Sequence, residues 1–375
     1  MCRWFAYLSP DEECLLEDVL ITPDHALSKQ VHEHYLPRLI SHIPGQETTP
    51  QEITLRNRLF NVDGFGMAWY TGTRSDFVKP VTGTRPAVYK HSQPPNNDAN
   101  FHSICANTAT TALYAHIRAA TGKPATVATI NNHPFVFGRH TLMHNGLIAH
   151  FGDIRRPMLD LIGKPAYENI HGTTDSEHLA ALYMTYLTNS NSSSTTTTTT
   201  TSASSAPADS QDPDKQNFTW QQQYTTTEML DALVSAFKAI IVLQQTVLGG
   251  PQNVQASSLN VCCTDGRQMV AVRLRNHGFE QPPSLYWSTR AGVTLNRKYP
   301  DLPSGAAENP NATKKVSEHG KHVIVASEPT TYKIQDWSLI EKNHALLVDD
   351  KGHATMVKVD LPDSCLALAP TGNHF

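Results

Sequence analysis

The first residues of the chain combine two groups that could do chemistry together. Cysteine follows the initiator methionine, and a residue this small in second place is compatible with removal of Met1. The new terminus would carry a thiol and a free α-amine, whose ordinary pKa values are near ~8.5 and ~8. Cys2 alone could then supply a nucleophile and a general base. The apolar run from Trp4 to Leu8 predicts a buried strand that would hold this terminus rigidly.

Further motifs carry polar residues that could form a site with Cys2. They are Asp63-Gly64-Phe65-Gly66, His116-x-Arg118 with Thr121, Asn132-His133-Pro134-Phe135, His144-Asn145-Gly146 and Thr174-Asp175-Ser176-Glu177. Each alone has an ordinary structural explanation, because a histidine on a strand is usually a core residue, Asn-Gly is usually a turn and Asp before a helix is usually a cap. Their joint presence downstream of a potential N-terminal cysteine calls for a functional explanation.

Composition and charge argue against several classes of function. The formal net charge of -4 creates no strong field for nucleic acid or an anionic membrane surface. No apolar stretch is long enough to span a bilayer, and the start lacks the basic and apolar regions of a signal peptide. The six cysteines include no C-x-x-C pair, so we predict no disulfide framework, no zinc site and a reducing cytoplasmic environment.

The elements that must position these residues are predicted as strands, then two helices, then strands. Strands are expected after Asp63-Gly64, over 113–118 and over 139–144, the last ending in a turn at Asn145-Gly146. Apolar residues at helical spacing follow Asp175, and a capping box at 225–228 opens a second amphipathic helix. Hairpins are expected around Asp265-Gly266 and over 345–359. This order favours an α+β architecture.

The segment between the two helices differs from the rest of the chain. Residues 189–215 are rich in Ser, Thr, Asn, Pro and Asp and include an unbroken run of threonine over 195–201. Such a segment buries too little apolar surface to offset the entropy of ordering it. We therefore predict one domain over residues 2–375 that contains a disordered insertion at 189–215.

The order and spacing of the motifs resemble the class II, N-terminal-nucleophile glutamine amidotransferases. The resemblance runs from Cys2 to about Leu187 and is weaker in the C-terminal strands, notably at Val325-Ala326-Ser327-Glu328-Pro329. It implies a four-layer αββα fold with two stacked, mainly antiparallel sheets. The Cys-Arg start and the strings DGFGMAWY and HNG are most similar to the short, stand-alone members, above all the fungal ones that degrade glutathione.

The resemblance also implies a catalytic role for three residues. Cys2 would be the nucleophile, attacking a γ-carboxamide to form a thioester that water then cleaves. Asn145 and Gly146 would form the oxyanion hole through a side-chain amide and a backbone N–H, and one such donor is worth ~3 kcal/mol.

Four other residues would bind the substrate by the same resemblance. Arg118 would hold the glutamyl α-carboxylate, and Asp175 would pair with the α-ammonium. Thr121 and His133 would line the same pocket. Neither a metal nor an organic cofactor is implied.

The expected function is hydrolysis of a γ-glutamyl amide or peptide, with glutathione favoured and a peptidase-like protein partner in a hetero-oligomer. One alternative is a glutaminase subunit that delivers ammonia to a separate synthase. Another is an inactive scaffolding subunit, which retention of Cys2, Arg118, Asn145 and Asp175 disfavours. N-terminal-cysteine hydrolases of apolar acyl groups fit less well, because an arginine and an aspartate together suit a zwitterion.

Overall fold

The computed structural model describes residues 2–31, 49, 51, 61–77, 83–119, 127–189, 218–305 and 308–368. Thr121 lies outside these ranges, as does the predicted insertion apart from Asn189. The strands are β1 Arg3–Leu8, β2 Cys14–Leu15, β3 Phe65–Thr71, β4 Arg85–His91, β5 Ala109–Thr110, β6 Ala112–Ile117, β7 Phe135–Phe137, β8 His140–Leu147, β9 Ser258–Thr264, β10 Met269–Arg275, β11 Tyr286–Ser288, β12 Val323–Ala326, β13 Ser338–Leu339, β14 His344–Val348 and β15 Ala354–Lys358. The helices are α1 Leu16–Leu20, α2 Thr73–Phe77, α3 Ala99–Ala106, α4 Phe151–Leu159, α5 Lys164–Glu168, α6 Asp175–Asn189, α7 Thr226–Leu248 and α8 Ala291–Thr294.

Two large antiparallel sheets organise the described part of the chain. The first has seven strands in the order β13-β11-β12-β1-β6-β3-β4, and the second has six in the order β15-β14-β10-β9-β8-β7. The first strand of the sequence is therefore central in its sheet, paired with β12 on one side and β6 on the other. Strands before and after the gap at 190–217 pair directly, as β8 does with β9.

Three apolar clusters show that the sheets and helices form four layers. One cluster lies between the sheets and includes Trp4, Tyr114 and Met143. A second joins the outer face of the seven-stranded sheet to α1 and α3, and a third joins the six-stranded sheet to α6 and α7. The predicted αββα layering is confirmed. Within the described ranges, we find no helix with the length and apolar character needed to cross a membrane.

Most of the local predictions are confirmed, with one correction at the most informative motif. Thr174 Oγ1 caps α6 by accepting from the N–H of Glu177 at 3.2 Å, and a capping box opens α7. Asn145-Gly146 does not form a turn, because β8 continues through it and Gly146 pairs with Leu259. A Cβ on Gly146 would lie 1.9 Å from the carbonyl oxygen of Ser258, so this glycine permits a close strand contact.

Candidate active site

Strand alternation brings the predicted residues of the seven-stranded sheet to one face. Trp4 and Tyr114 both point into the space between the sheets, so Cys2, His116 and Arg118 follow on the same face at the ends of β1 and β6. The same alternation places Asn145 on the inner face of β8, two residues after the buried Met143. The two sheets therefore present these side chains to the same end of the space between them.

The Cys2 thiol lies against the main chain that follows Arg118. Its sulfur accepts from the N–H of Ala119 at 3.4 Å and lies 3.5 Å from the carbonyl oxygen of that residue. Cys2 is half-buried, whereas the other five cysteines are buried. This contact holds the thiol in place and leaves part of it accessible to a substrate.

Arg118 connects the thiol with acidic groups on both sides of the site. Its backbone N–H donates to Gly64 at 2.8 Å, and its carbonyl accepts from Asp63 at 3.1 Å. Burial lowers the pKa of the guanidinium, while attraction from Cys2, Asp63 and Asp175 opposes that shift. An arginine stays charged in proteins, so Arg118 is a buried cation within electrostatic reach of the thiol and of Asp175.

Asn145 offers a hydrogen-bond donor with nothing to receive it. Its side chain is only 2% exposed, and its Nδ2 has no hydrogen-bond partner among the described residues. A buried hydrogen-bond donor without a partner costs about 1–3 kcal/mol of stability. A ligand that accepts a hydrogen bond from Nδ2 would account for an asparagine at this position. Gly146 follows it on β8.

Asp175 ties the start of α6 to the end of β8. Its Oδ2 accepts from the backbone N–H of Ile148 at 2.9 Å, and its Oδ1 accepts from the backbone N–H of Ser176 at 2.8 Å. The carboxylate is half-buried. These bonds fix its orientation close to the Asn145-Gly146 segment.

Two stacked histidines, His116 and His133, lie between the two sheets against the main chain of His144. The rings of His116 and His133 stack with centroids 4.0 Å apart, and Nε2 of His116 lies 3.3 Å from the carbonyl oxygen of His144. The backbone N–H of His144 donates to Nδ1 of His133 at 3.0 Å, which requires that nitrogen to be unprotonated. Burial lowers the pKa of His116 to about 3 and that of His133 well below its usual value. The stack is therefore neutral and braces the strand that carries Asn145.

A lysine adds positive charge on the far side of this stack. Burial lowers the pKa of Lys90 to about 8, and attraction from Glu177 opposes the shift. Its Nζ lies 5.2 Å from the centre of the Phe135 ring, and all three residues line a cavity of about 330 Å³. Repulsion from Lys90 and Arg118 helps to keep His116 and His133 neutral.

The structure brings Cys2, Arg118, Asn145, Gly146 and Asp175 to one region, while His133 contacts the site through the main chain of His144. A pocket-lining role for His133 stays a prediction, as does the role of Thr121, which lies outside the described residues. The sequence pattern predicts no role for Glu328. Its partnership with Arg3 has no local sequence signal, because the two residues lie at opposite ends of the chain.

Comparison with known proteins finds similar sequences and a similar fold. Residues 54–208 match the family described as class-II glutamine amidotransferases, a range that includes every predicted site residue except Cys2. The probable glutamine amidotransferase DUG3 of Saccharomyces cerevisiae is 25% identical over 315 residues, which cover 84% of this chain and 77% of that protein.

A solved structure shows the same fold. A glutamine aminotransferase class-II domain protein from Silicibacter pomeroyi superposes with a TM-score of 0.52 at 17% identity, covering 96% of this chain and 100% of that one. The resemblance seen in the motifs is confirmed. The predicted α+β fold with two stacked, mainly antiparallel sheets is confirmed as well.

Proposed function

We propose that this chain hydrolyses a γ-glutamyl amide or peptide bond through a thioester on Cys2, because residues 54–208 match the class-II glutamine amidotransferase family. One observation carries the proposal. The half-buried thiol lies on the main chain next to Arg118, and that arginine is within electrostatic reach of both Cys2 and Asp175. Opposite charges beside a nucleophile suit the zwitterionic end of a glutamyl group.

In the proposed first step, the Cys2 sulfur attacks the γ-carbonyl carbon. The α-amine released by removal of Met1 takes the thiol proton and passes it to the departing nitrogen as the C–N bond breaks. Nδ2 of Asn145 and the N–H of Gly146 stabilise the negative charge on the carbonyl oxygen. The unpartnered state of Nδ2 supports this role. Water then hydrolyses the thioester and releases glutamate.

Substrate recognition is assigned to opposite charges. Arg118 binds the α-carboxylate through its planar guanidinium, and Asp175 binds the α-ammonium. The backbone N–H groups that donate to Asp175 hold its carboxylate in a fixed orientation. Thr121 and His133 are proposed to line the same pocket.

Glutathione is the favoured substrate, because the motifs resemble the fungal members that degrade it. We further propose a single domain over residues 2–375, a cytoplasmic location and a peptidase-like partner in a hetero-oligomer. Six unpaired cysteines support a reducing compartment.

Parallel assays test the proposal. The purified protein, alone and with cell extract, is incubated with glutathione and with glutamine, and glutamate release is measured beside a Cys2→Ala control. Faster glutamate release from glutathione supports the proposed substrate, whereas preference for glutamine favours a glutaminase that supplies a synthase. Activity that survives Cys2→Ala, or an intact mass that retains Met1 in an active preparation, overturns the mechanism.

A further inference from the structure

A buried ion pair lies beside the proposed nucleophile and has no part in the mechanism above. Nη1 of Arg3 donates to the carbonyl oxygen of Cys2 at 3.3 Å, and Nη2 lies 3.9 Å from Oε1 of Glu328. Arg3 is 5% exposed and Glu328 1% exposed. Burying two charges is costly unless both are well paired, so a purely apolar pair would stabilise this position as well or better. The charges themselves therefore need an explanation.

The backbone of β1 directs the start of the chain toward Glu328. The carbonyl of Trp4 accepts from the N–H of Ser327, and the N–H of Trp4 donates to the hydroxyl of Ser327. In an antiparallel strand, backbone groups two residues apart point the same way. The nitrogen and carbonyl of Cys2 therefore point toward the segment that follows β12, which begins with Ser327 and Glu328.

One oxygen of Glu328 is held and the other is available. Oε1 accepts from the hydroxyl of Ser284 at 2.8 Å, whereas Oε2 is buried without a hydrogen-bond partner among the described residues. An unpartnered carboxylate oxygen in the interior favours a nearby N–H donor. The nitrogen of Cys2 lies on this side of β1 and would become an amine donor once Met1 is removed.

The segment that holds Glu328 also reaches the other half of the site. The carbonyls of Pro283 and Ser284 accept from Nδ2 of Asn260, which lies opposite Asn145 in the pairing of β8 with β9. The fully buried Arg273 holds the carbonyl of Pro283 at 2.8 Å. A rigid polar connection therefore links the strand of the oxyanion donor to the residue beside the nucleophile.

We propose that Glu328 is a positioning residue for the nucleophile, holding Arg3 on the carbonyl of Cys2 and accepting a hydrogen bond from its α-amine through Oε2. The inference rests on the proposed function, because it assigns the amine a defined position for carrying the proton. Arg3 and Glu328 act on Cys2 from this side, and Arg118 acts with its acidic neighbours Asp63 and Asp175 from the other.

The test measures the rate of alkylation of Cys2 by iodoacetamide as a function of pH. Glu328→Gln removes a negative charge and should move the midpoint of the profile toward acid by about one pH unit, and Arg3→Met should move it toward alkali by a similar amount. Both variants should lower kcat by about 10- to 100-fold with little change in KM, because neither side chain contacts the substrate. A pair that only stabilised the fold would leave kcat per folded molecule unchanged in both variants.

Two further variants keep the inference testable if the single variants fold poorly. The double variant Arg3→Met with Glu328→Met should be stably folded but slow, since apolar residues can replace a buried pair. Asp18→Asn is the matched control, because Asp18 is also a buried acid paired with an arginine, Arg297, and belongs to α1. It should leave the alkylation midpoint and kcat unchanged.

The outcomes separate this inference from the proposed function. Wild-type kcat in the double variant, or an unchanged midpoint in both single variants, overturns the positioning role while Cys2→Ala remains inactive. Full activity in Cys2→Ala overturns the proposed function and the inference together.

Discussion

The space between the two sheets has a packed end and a polar end, built from the same strands. At the packed end Leu8, Tyr70 and Met143 are almost completely buried in the inter-sheet cluster. At the polar end the same strand faces carry a thiol, a neutral histidine, a buried cation and an unpartnered amide. The packed end therefore stabilises the fold by burying apolar side chains, whereas the polar end buries polar groups at a cost in stability.

Two cysteines illustrate the contrast. Cys262 lies in the inter-sheet cluster, and burial raises the pKa of its thiol well above the usual value. Cys2 is half-buried and close to Arg118. Because the environment of a thiol governs its reactivity, the two ends of the sandwich place their cysteines in chemically different settings.

The largest expected effect distinguishes these two thiols. Cys2→Ala should abolish turnover and leave the melting temperature unchanged within a few degrees, because the half-buried side chain contributes little packing. Cys262→Ala should keep turnover per folded molecule and lower stability by about 1 kcal/mol through a small cavity. Steady-state kinetics and thermal unfolding of both variants check the pair, and an active Cys2→Ala would contradict the comparison.

The next largest effect is expected to differ between Asn145 and Met143, which lie two residues apart on β8. Asn145→Ala should lower kcat by about 10²- to 10³-fold through loss of an oxyanion donor, with stability unchanged or slightly raised because an unpartnered amide is removed. Met143→Ala, two residues earlier on the same face, should cost about 2–5 kcal/mol of unfolding free energy with kcat retained. Equal losses of stability in the two variants would contradict the proposed difference between the packed end and the polar end.

A smaller change is expected when the cation is kept but its shape is altered. Arg118→Lys should raise KM by about 10-fold or more with a lesser effect on kcat, because an ammonium cannot replace a bidentate guanidinium. The exposed Arg290 provides the control, and Arg290→Lys should change neither constant. An unchanged KM in Arg118→Lys would remove Arg118 from substrate binding.

The smallest effect is a pH dependence of stability from the polar end. The folded-state pKa of His116 is lowered to about 3 by burial, while an unfolded histidine titrates near ~6.5. Between these values the unfolded chain binds a proton that the folded protein does not, so stability decreases as the pH is lowered, by at most about 1.4 kcal/mol per pH unit. Denaturant unfolding from pH 7 to pH 4 should show a shallower loss in His116→Gln, and parallel curves would count against a buried neutral His116.

Much of this organisation is predictable from local patterns. The apolar run after Cys2 predicts β1, the capping box predicts the start of α7, and Asp265-Gly266 predicts the hairpin of β9 and β10. These signals succeed because the residues that decide each element lie close together in sequence.

Features that depend on distant strands are less predictable. Asn145-Gly146 has the composition of a turn, yet pairing with β9 keeps it extended and brings Gly146 against Ser258. The pairing of Arg3 with Glu328 depends on the strand order of the folded sheet. In the first case pairing with a distant strand overrides the local preference for a turn. In the second case no local pattern indicates the contact.

The central place of β1 in its sheet also bears on the timing of activity during synthesis. Its partner β12 spans Val323–Ala326, so the ribosome must translate most of the chain before the thiol gains its second neighbouring strand. Until then β12 does not cover the first residues, and we expect an aminopeptidase to reach Met1 more easily. The long sequence separation between β1 and β12 slows folding. We expect nascent chains that stop before Glu328 to lose Met1 but to have no catalytic activity.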